Sequence, residues 1–427
     1  MPDRQVAATT KRTGARLRAC ALLVHRWVGL AIAVFLVVAG LSGSVLVFYH
    51  ELDSALNPQL HRITASAPLD PLLLRLRVSE QLGDEVRQVD LGGGDGGPRV
   101  FWHAASAREV FVDPGSGTVL GSRHWGDLSE GTVNLMPFIY RLHYQLALGE
   151  TGTLLFGIVA LLWTIDCFVG LYLTLPPGRS ASPDGRGWLS RWKPAWLMRA
   201  ASLFGAVFTF HRAAGLWLWA LLLVFAWSAV AFNLRPVYVA VTGAVLPMTD
   251  VWATLPGLDS PRATPRLDWP EALAAARAGM AGEAGRRGFR TIAEGGLSYE
   301  PAQGLYRYDV HSSLDLQRRW PGTRLWFDGD SGATVAFDAP TGVDGGGTLT
   351  SWLLALHMAA VGGLPYRLLV IALGLAVAAL SVTGVAIWWR KRRRPSIHSD
   401  FPPRQPPPDQ TTHGAPSATT ANRSMST

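Results

Sequence analysis

Four of the eleven histidines in this 427-residue chain sit at matched positions in its two halves. The run His25-Arg-Trp-Val-Gly-Leu30 is echoed by His211-Arg-Ala-Ala-Gly-Leu216, and each opens an apolar stretch. Ser42 and Ser228 each follow their histidine by 17 residues, and Gly40 and Gly43 correspond to Ala226 and Ala229. A second motif also occurs twice. Leu142-His143 is followed after 6 and 27 residues by Gly149 and Gly170, and Leu356-His357 by Gly363 and Gly384 at the same offsets. Three fixed positions over 28 residues, with no gap, mark a duplication.

Imidazoles placed in this way could hold iron porphyrin. Ligation by two histidines needs facing side chains at one depth and an apolar slot for the macrocycle. His25 pairs in depth with His211, and His143 with His357, one member of each pair from each half. Gly29 and Gly215 stand four residues after His25 and His211, on the same helix face, where a missing side chain leaves room for a flat ring. Ala147 and Ala360 are similarly small beside His143 and His357. Arg26 and Arg212 adjoin the first pair as candidate propionate partners. The expected cofactor is haem b, two per chain, with these four histidines as axial ligands of the iron. A single boundary histidine would read as an interfacial residue with a wet tip, and small residues also serve helix packing alone. Zinc or copper would call for Cys or carboxylate neighbours that the sequence does not cluster there. His50 is an alternative ligand. His61, His103, His124 and His311 are isolated in loops and are expected to be solvated.

The elements that must carry these residues are legible. Four apolar stretches, 22–49, 153–175, 203–232 and 368–389, each reach the roughly 20 residues that a helix needs to span hydrocarbon. Charged residues make up only 16% of the chain, against about 25% in soluble domains. The first stretch is too long for a signal-peptide core of about 7–15 residues and is read as an uncleaved anchor. One acid, Asp166, lies inside a span, a functional candidate by default. It could orient His25 or His211, pair with Arg26 or Arg212, or stay protonated against a neighbouring helix.

Net charge is +8, but its distribution matters more. Segments 1–24, 176–202 and 390–427 hold 17 Lys/Arg and 4 Asp/Glu, whereas 51–142 and 234–364 hold 19 Arg and 25 Asp/Glu. The positive-inside rule places both termini and the 176–202 loop in the cytoplasm, and both long loops outside. Basic residues that flank span ends point to membrane lipid as partner and not to nucleic acid. Cys20 and Cys167 both fall on the cytoplasmic side, where a disulfide is not expected. Trp27, Trp188, Trp192, Trp196, Trp388 and Trp389 near span ends read as an interfacial belt.

Each long loop begins with Leu-Asp (Leu69-Asp70, Leu267-Asp268) before a helical stretch and ends in a hairpin, 110–119 and 325–335, with Asp/Gly/Ser tips. The Asp328-Gly-Asp330 tip lacks the downstream Glu of a calcium loop and is read as a turn. The expected fold class is a membrane all-α four-helix transmembrane bundle with two extramembrane α+β domains, arranged as a parallel internal repeat. Its parts are an N-terminus 1–21, span 22–50, outer domain 51–131, interfacial helix and span 132–175, loop 176–202, span 203–233, outer domain 234–348, interfacial helix and span 349–390, and a disordered tail 391–427.

The His25 motif, the two Leu-His-x5-Gly elements and the closing Gly-Val-Ala-Ile-Trp-Trp-Arg-Lys-Arg together resemble the PepSY-associated transmembrane helix family over about residues 20–394. The two hairpins resemble those of PepSY domains. The resemblance implies a bacterial inner-membrane protein, often linked to iron uptake, and its members include haem-containing reductases of ferric siderophores. On that reading the chain is an electron-transfer oxidoreductase that reduces a ferric-siderophore or other Fe(III) acceptor. No dinucleotide-binding fingerprint occurs, since the Gly-rich run 92–97 lacks its strand–turn–helix setting, so the donor is a quinol or a separate flavoprotein reductase. Asp166 is no part of the family's pattern. The alternative is a non-enzymatic PepSY membrane protein, a transporter accessory or protease regulator, with structural histidines.

Overall fold

The computed structural model describes residues 2–64, 67–92, 97–103, 106, 108–177, 187–199 and 202–393, with side chains from Thr13 onward. Of the tail expected over 391–427, residues 391–393 continue the last helix and the rest lies outside the described residues, as do 178–186 and 200–201 of the basic loop. Three helices are long and apolar enough to cross a membrane: Thr13–Leu46, Gly149–Thr174 and Gly363–Arg393. The pair Leu203–Trp217 and Trp219–Asn233 makes a fourth if taken as one span. Val34, Ile165, Leu375 and Val382 on these helices each leave half or more of their surface uncovered by protein. A helix can show such a face to hydrocarbon because its backbone polar groups are satisfied internally.

The third stretch is not the uninterrupted helix its composition suggests. It bends by 69° at Leu218, whose amide bonds both Ala214 O and Leu216 O. The indoles on either side are tied to different elements: Trp217 Nε1 donates to Trp196 O at 3.1 Å and Trp219 Nε1 to Cys167 O at 2.9 Å. Apolar composition constrains length and burial, but it carries no term for such anchoring.

Small residues decide how closely the helices approach. A Cβ on Gly40 would stand 2.4 Å from Gly374 O, and one on Gly374 would stand 2.3 Å from Ser44 Oγ. The first and last spans therefore cross backbone against backbone. Where the second span meets the third, Ala160 and Ala226 are buried instead. Short helices Leu135–Gln145 and Gly345–His357 precede the second and fourth spans. The turns out of them put Leu146, Ala147 and Ala359 in the left-handed region at φ 54°, 56° and 49°. Such a conformation is uncommon outside glycine.

Outside the spans lie two antiparallel sheets, built from β1 (Gln88–Asp90), β2 (Arg99–His103), β3 (Arg108–Val112), β4 (Val119–His124), β5 (Thr291–Glu300), β6 (Leu305–Ser312), β7 (Thr323–Asp328) and β8 (Thr334–Asp338). One sheet has the order β2-β3-β4 and the other β1-β5-β6-β7-β8. The expected helix caps and hairpins are present. Asp70 accepts from the amides of Leu72 and Leu73, and Asp268 with Glu271 forms a capping box. Asp113 Oδ1 and Asp328 Oδ1 accept from amides inside their own turns, and Gly117 and Gly332 take φ +75° and +72° there. Asp330 pairs with Arg262 at 3.0 Å.

The two outer segments are not independent, although each carries its own turns and helix. Strand β1 of the first pairs with β5 of the second, Val89 opposite Leu297, and Val89 is buried in the core of the larger sheet. A three-residue strand carries too little pattern to announce its partner. Arg123 on β4 is 2% exposed and makes a bidentate pair with Asp53 (2.8 and 3.0 Å) as well as a bond to Glu109 (2.8 Å). Asp53 lies on Tyr49–Leu56, just after the first span, so this pair couples membrane and outer parts. Removing one partner of a buried pair costs about 3–5 kcal/mol because the other charge is left uncompensated. Arg123→Met is therefore expected to lower the thermal unfolding midpoint and to speed proteolysis of the first outer segment. An unchanged midpoint would show that the pair contributes nothing net.

Candidate cofactor site: two histidine pairs

The structure brings all four repeat-matched histidines together in two pairs. His25 and His211 have ring centroids 6.2 Å apart at an interplanar angle of 60°. His143 and His357 are also 6.2 Å apart, at 63°. With metal–nitrogen bonds of about 2.0 Å, two imidazoles on opposite sides of one metal need ring centres roughly 6 Å apart. Each pair joins a residue of the first half of the chain to one of the second.

The hydrogen bonds around the rings settle which nitrogen is free. His211 Nδ1 lies 3.0 Å from Leu380 O, and a carbonyl only accepts, so Nδ1 carries the proton. Thr383 Oγ1 is 3.1 Å from the same nitrogen. His25 Nδ1 sits between both oxygens of Asp166, at 2.9 and 3.0 Å. Ser42 Oγ donates its own proton to Val38 O at 2.6 Å, so toward His143 Nδ1, 3.1 Å away, it is the acceptor. Ser228 Oγ lies 2.6 Å from His357 Nδ1 and 3.1 Å from Phe225 O. All four rings are thus held through Nδ1. No hydrogen bond reaches any of the four Nε2 atoms among the described residues. An Nε2 lone pair with a fixed Nδ1–H is the tautomer that binds metal, and such bonds orient the ring.

The supporting contacts occur twice. Gly170 and Gly384, 27 residues after His143 and His357, face Cε1 of His25 and of His211, where an added Cβ would come within 3.5 and 3.3 Å. The serines at offset 17 each reach the histidine of the following short helix in their own half. Gly29 and Gly215 have nothing within 4 Å of where a Cβ would lie, so the space beside the first pair is open. Gly43 abuts His143, 2.9 Å from an added Cβ to Cε1. His357 stacks on Phe225 (4.8 Å, 28°).

One pair of matched positions differs. Asp166 and Leu380 both lie 23 residues after the second histidine of their half. At one a carboxylate receives the imidazole N–H, and at the other a backbone carbonyl does. Of the partners open to Asp166 in the sequence, the structure selects His25.

The arginines depart from expectation. Arg26 is exposed and lies over the Trp27 ring, 5.2 Å from its centroid. Arg212 donates to Pro194 O at 2.7 Å. Among the described residues His50 makes no ring contact with another histidine and stands edge-on to Tyr49. The loop histidines are not free in solvent: His103 pairs with Asp84 at 3.0 Å, His124 with Glu130 at 2.5 Å and His311 with Asp315 at 3.3 Å, and His61 lies 3.9 Å from Asp53. Thr383, and the contacts of Gly43, Gly170 and Gly384 with the rings, were not apparent from residue types. The fixed offsets of 17 and 27 were the signal that could have pointed to the serine and glycine roles. Among the described residues no group of three or more His, Cys, Asp or Glu is arranged to hold a metal ion.

These features define a multi-span membrane protein with two pairs of facing histidines, each ring held through Nδ1. The sequence matches the PepSY-associated TM region over residues 22–391, and the chain belongs to that family. No curated protein gives a match.

Proposed function

We propose that this chain is a haem b electron-transfer protein of the bacterial inner membrane that reduces a ferric-siderophore or similar Fe(III) acceptor outside the cytoplasm. The observation that carries the reading is the double occurrence of an imidazole pair at 6.2 Å with every Nδ1 engaged and every Nε2 free. The residues present fit haem, and bound haem supplies one-electron transfer at each pair. His25 with His211, and His143 with His357, would hold the haem iron. Asp166, Leu380, Thr383, Ser42 and Ser228 hold the ligand rings, while Gly29 and Gly215 leave space beside the first pair.

The two halves form a parallel duplication, four spans about an axis along the membrane normal. The basic termini and the 176–202 loop are cytoplasmic, and both sheet-bearing segments are periplasmic. The His25 pair then lies on the side of the donor, a quinol or separate flavoprotein, and the His143 pair on the side of the acceptor. Reduction of Fe(III) weakens its hold by hard oxygen ligands and releases the metal.

The test is a visible spectrum and haem content of the purified protein. Soret and α bands that sharpen on dithionite, with two haems per polypeptide, are expected. A folded, colourless protein overturns the proposal and leaves a PepSY membrane protein with structural histidines. Asp166→Asn should act as a positioning change at one site only. It removes the carboxylate that makes His25 more electron-rich, so one midpoint potential rises while the other stays, and haem affinity at the first pair falls by about 10–100-fold. Two unchanged potentials would assign Asp166 to helix packing.

A further inference from the structure

We infer that the recess where Arg18, Arg191 and Arg212 converge, at the basic end of the spans, binds the phosphate headgroup of an anionic phospholipid. The three arginines come from the first span, the short helix Trp188–Trp192 and the third span, and they line one cavity of about 420 Å³. Among the described residues each guanidinium is anchored by backbone carbonyls and by no acid. Arg18 donates to Leu173 O (2.6 Å) and Leu175 O (3.0 Å), at the end of the second span. Arg191 donates to Pro177 O at 2.8 Å and Arg212 to Pro194 O at 2.7 Å. A guanidinium has five N–H donors, so most remain. Nε of Arg191 and Nε of Arg212 are both buried with no hydrogen-bond partner. Among the described residues no Asp or Glu lines the recess.

Three fixed cations, two of them with a buried, unsatisfied donor, are unfavourable until an anion completes them. Carbonyl anchors hold the forks in place without neutralising them, which suits a ligand that brings the charge. The setting selects a lipid over a free ion. Phe208 and Leu175 add an apolar wall, and Arg212 lies over the Phe208 ring, 5.8 Å from its centroid. Trp188, Trp192, Trp196 and Trp217 form a chain of indoles beside it, at successive centroid distances of 5.1 Å. Indoles gather at the headgroup level of a bilayer, and basic pockets between spans take anionic headgroups there. The inference needs the membrane reading but not the haem.

The test is native mass spectrometry of the full chain in detergent, titrated with phosphatidylglycerol, phosphatidylcholine or inorganic phosphate. The expected result is preferential retention of phosphatidylglycerol, with phosphate a poor competitor. Arg191→Gln and Arg212→Gln should each weaken phosphatidylglycerol about fivefold. Arg191→Lys, which keeps the charge, should retain most of the binding and shows that the change at Arg191 is not one of folding. Equal binding by wild type and both glutamine variants overturns the proposal. So does competition by phosphate as effective as by the lipid, which assigns a free-anion site. Loss of haem from Arg212→Gln with lipid binding intact also overturns it, assigning the recess to a propionate.

Discussion

His143→Ala is expected to halve the haem recovered per polypeptide, and His357→Ala to do the same. Either change leaves one imidazole facing an empty position across a 6.2 Å pair. The His25–His211 pair would be untouched, because its rings are held by different residues: Asp166 for His25, and Leu380 with Thr383 for His211. A variant that removes one histidine from each pair, His25→Ala with His143→Ala, should be colourless. The pyridine haemochrome assay on folded, monodisperse protein measures this directly. His50→Ala is the control, since His50 stands against Tyr49 and, among the described residues, makes no ring contact with another histidine. Full haem content in His143→Ala would detach the second pair from any cofactor role. Two haems lost together from one single-site variant would instead show that the sites fold as a unit.

Gly40→Leu should disrupt the crossing of the first and last spans. An added Cβ stands 2.4 Å from the backbone oxygen of Gly374, a contact that only a backbone shift can relieve. Overpacking of this kind costs about 1–3 kcal/mol and sometimes more, and here it would part the first span from the last. The hydroxyl of Ser44 bridges the same crossing, donating to Gly40 O at 2.8 Å and Ile371 O at 3.2 Å. A fall in the unfolding midpoint in detergent, with loss of the folded species on size exclusion, is the expected readout. Gly29→Ala on the same helix is the contrast. Nothing lies within 4 Å of its Cβ position, and alanine is a better helix former than glycine by about 1 kcal/mol, so the unfolding midpoint should hold or rise. Equal behaviour of the two variants would mean that the tight crossing does not limit stability.

The four histidines stood out as a set because their motifs recur at fixed offsets in the two halves of the chain. Matched offsets of 17 and 27 picked out Ser42, Ser228, Gly170 and Gly384 before any contact was known, and local turn chemistry announced Asp70, Asp268 and both hairpins. Apolar length was enough to locate the spans, because a membrane imposes one thickness on every helix that crosses it. These are signals within a single segment of chain, and short-range chemistry writes them into residue order.

What needed the folded chain was everything that joins distant segments. Asp166 had several possible partners, and only helix packing put His25 within 2.9 Å of it. Arg212, adjacent to a site histidine in sequence, turns to Pro194 instead. The bend at Leu218 follows from indoles anchored on two other elements, and β1 joins a sheet whose other strands lie some 200 residues away. Composition and periodicity set which face of a helix is apolar. Which neighbour that face meets, and at what distance, depends on the side chains of both partners at once, and these pairings exist only when all the spans have come together.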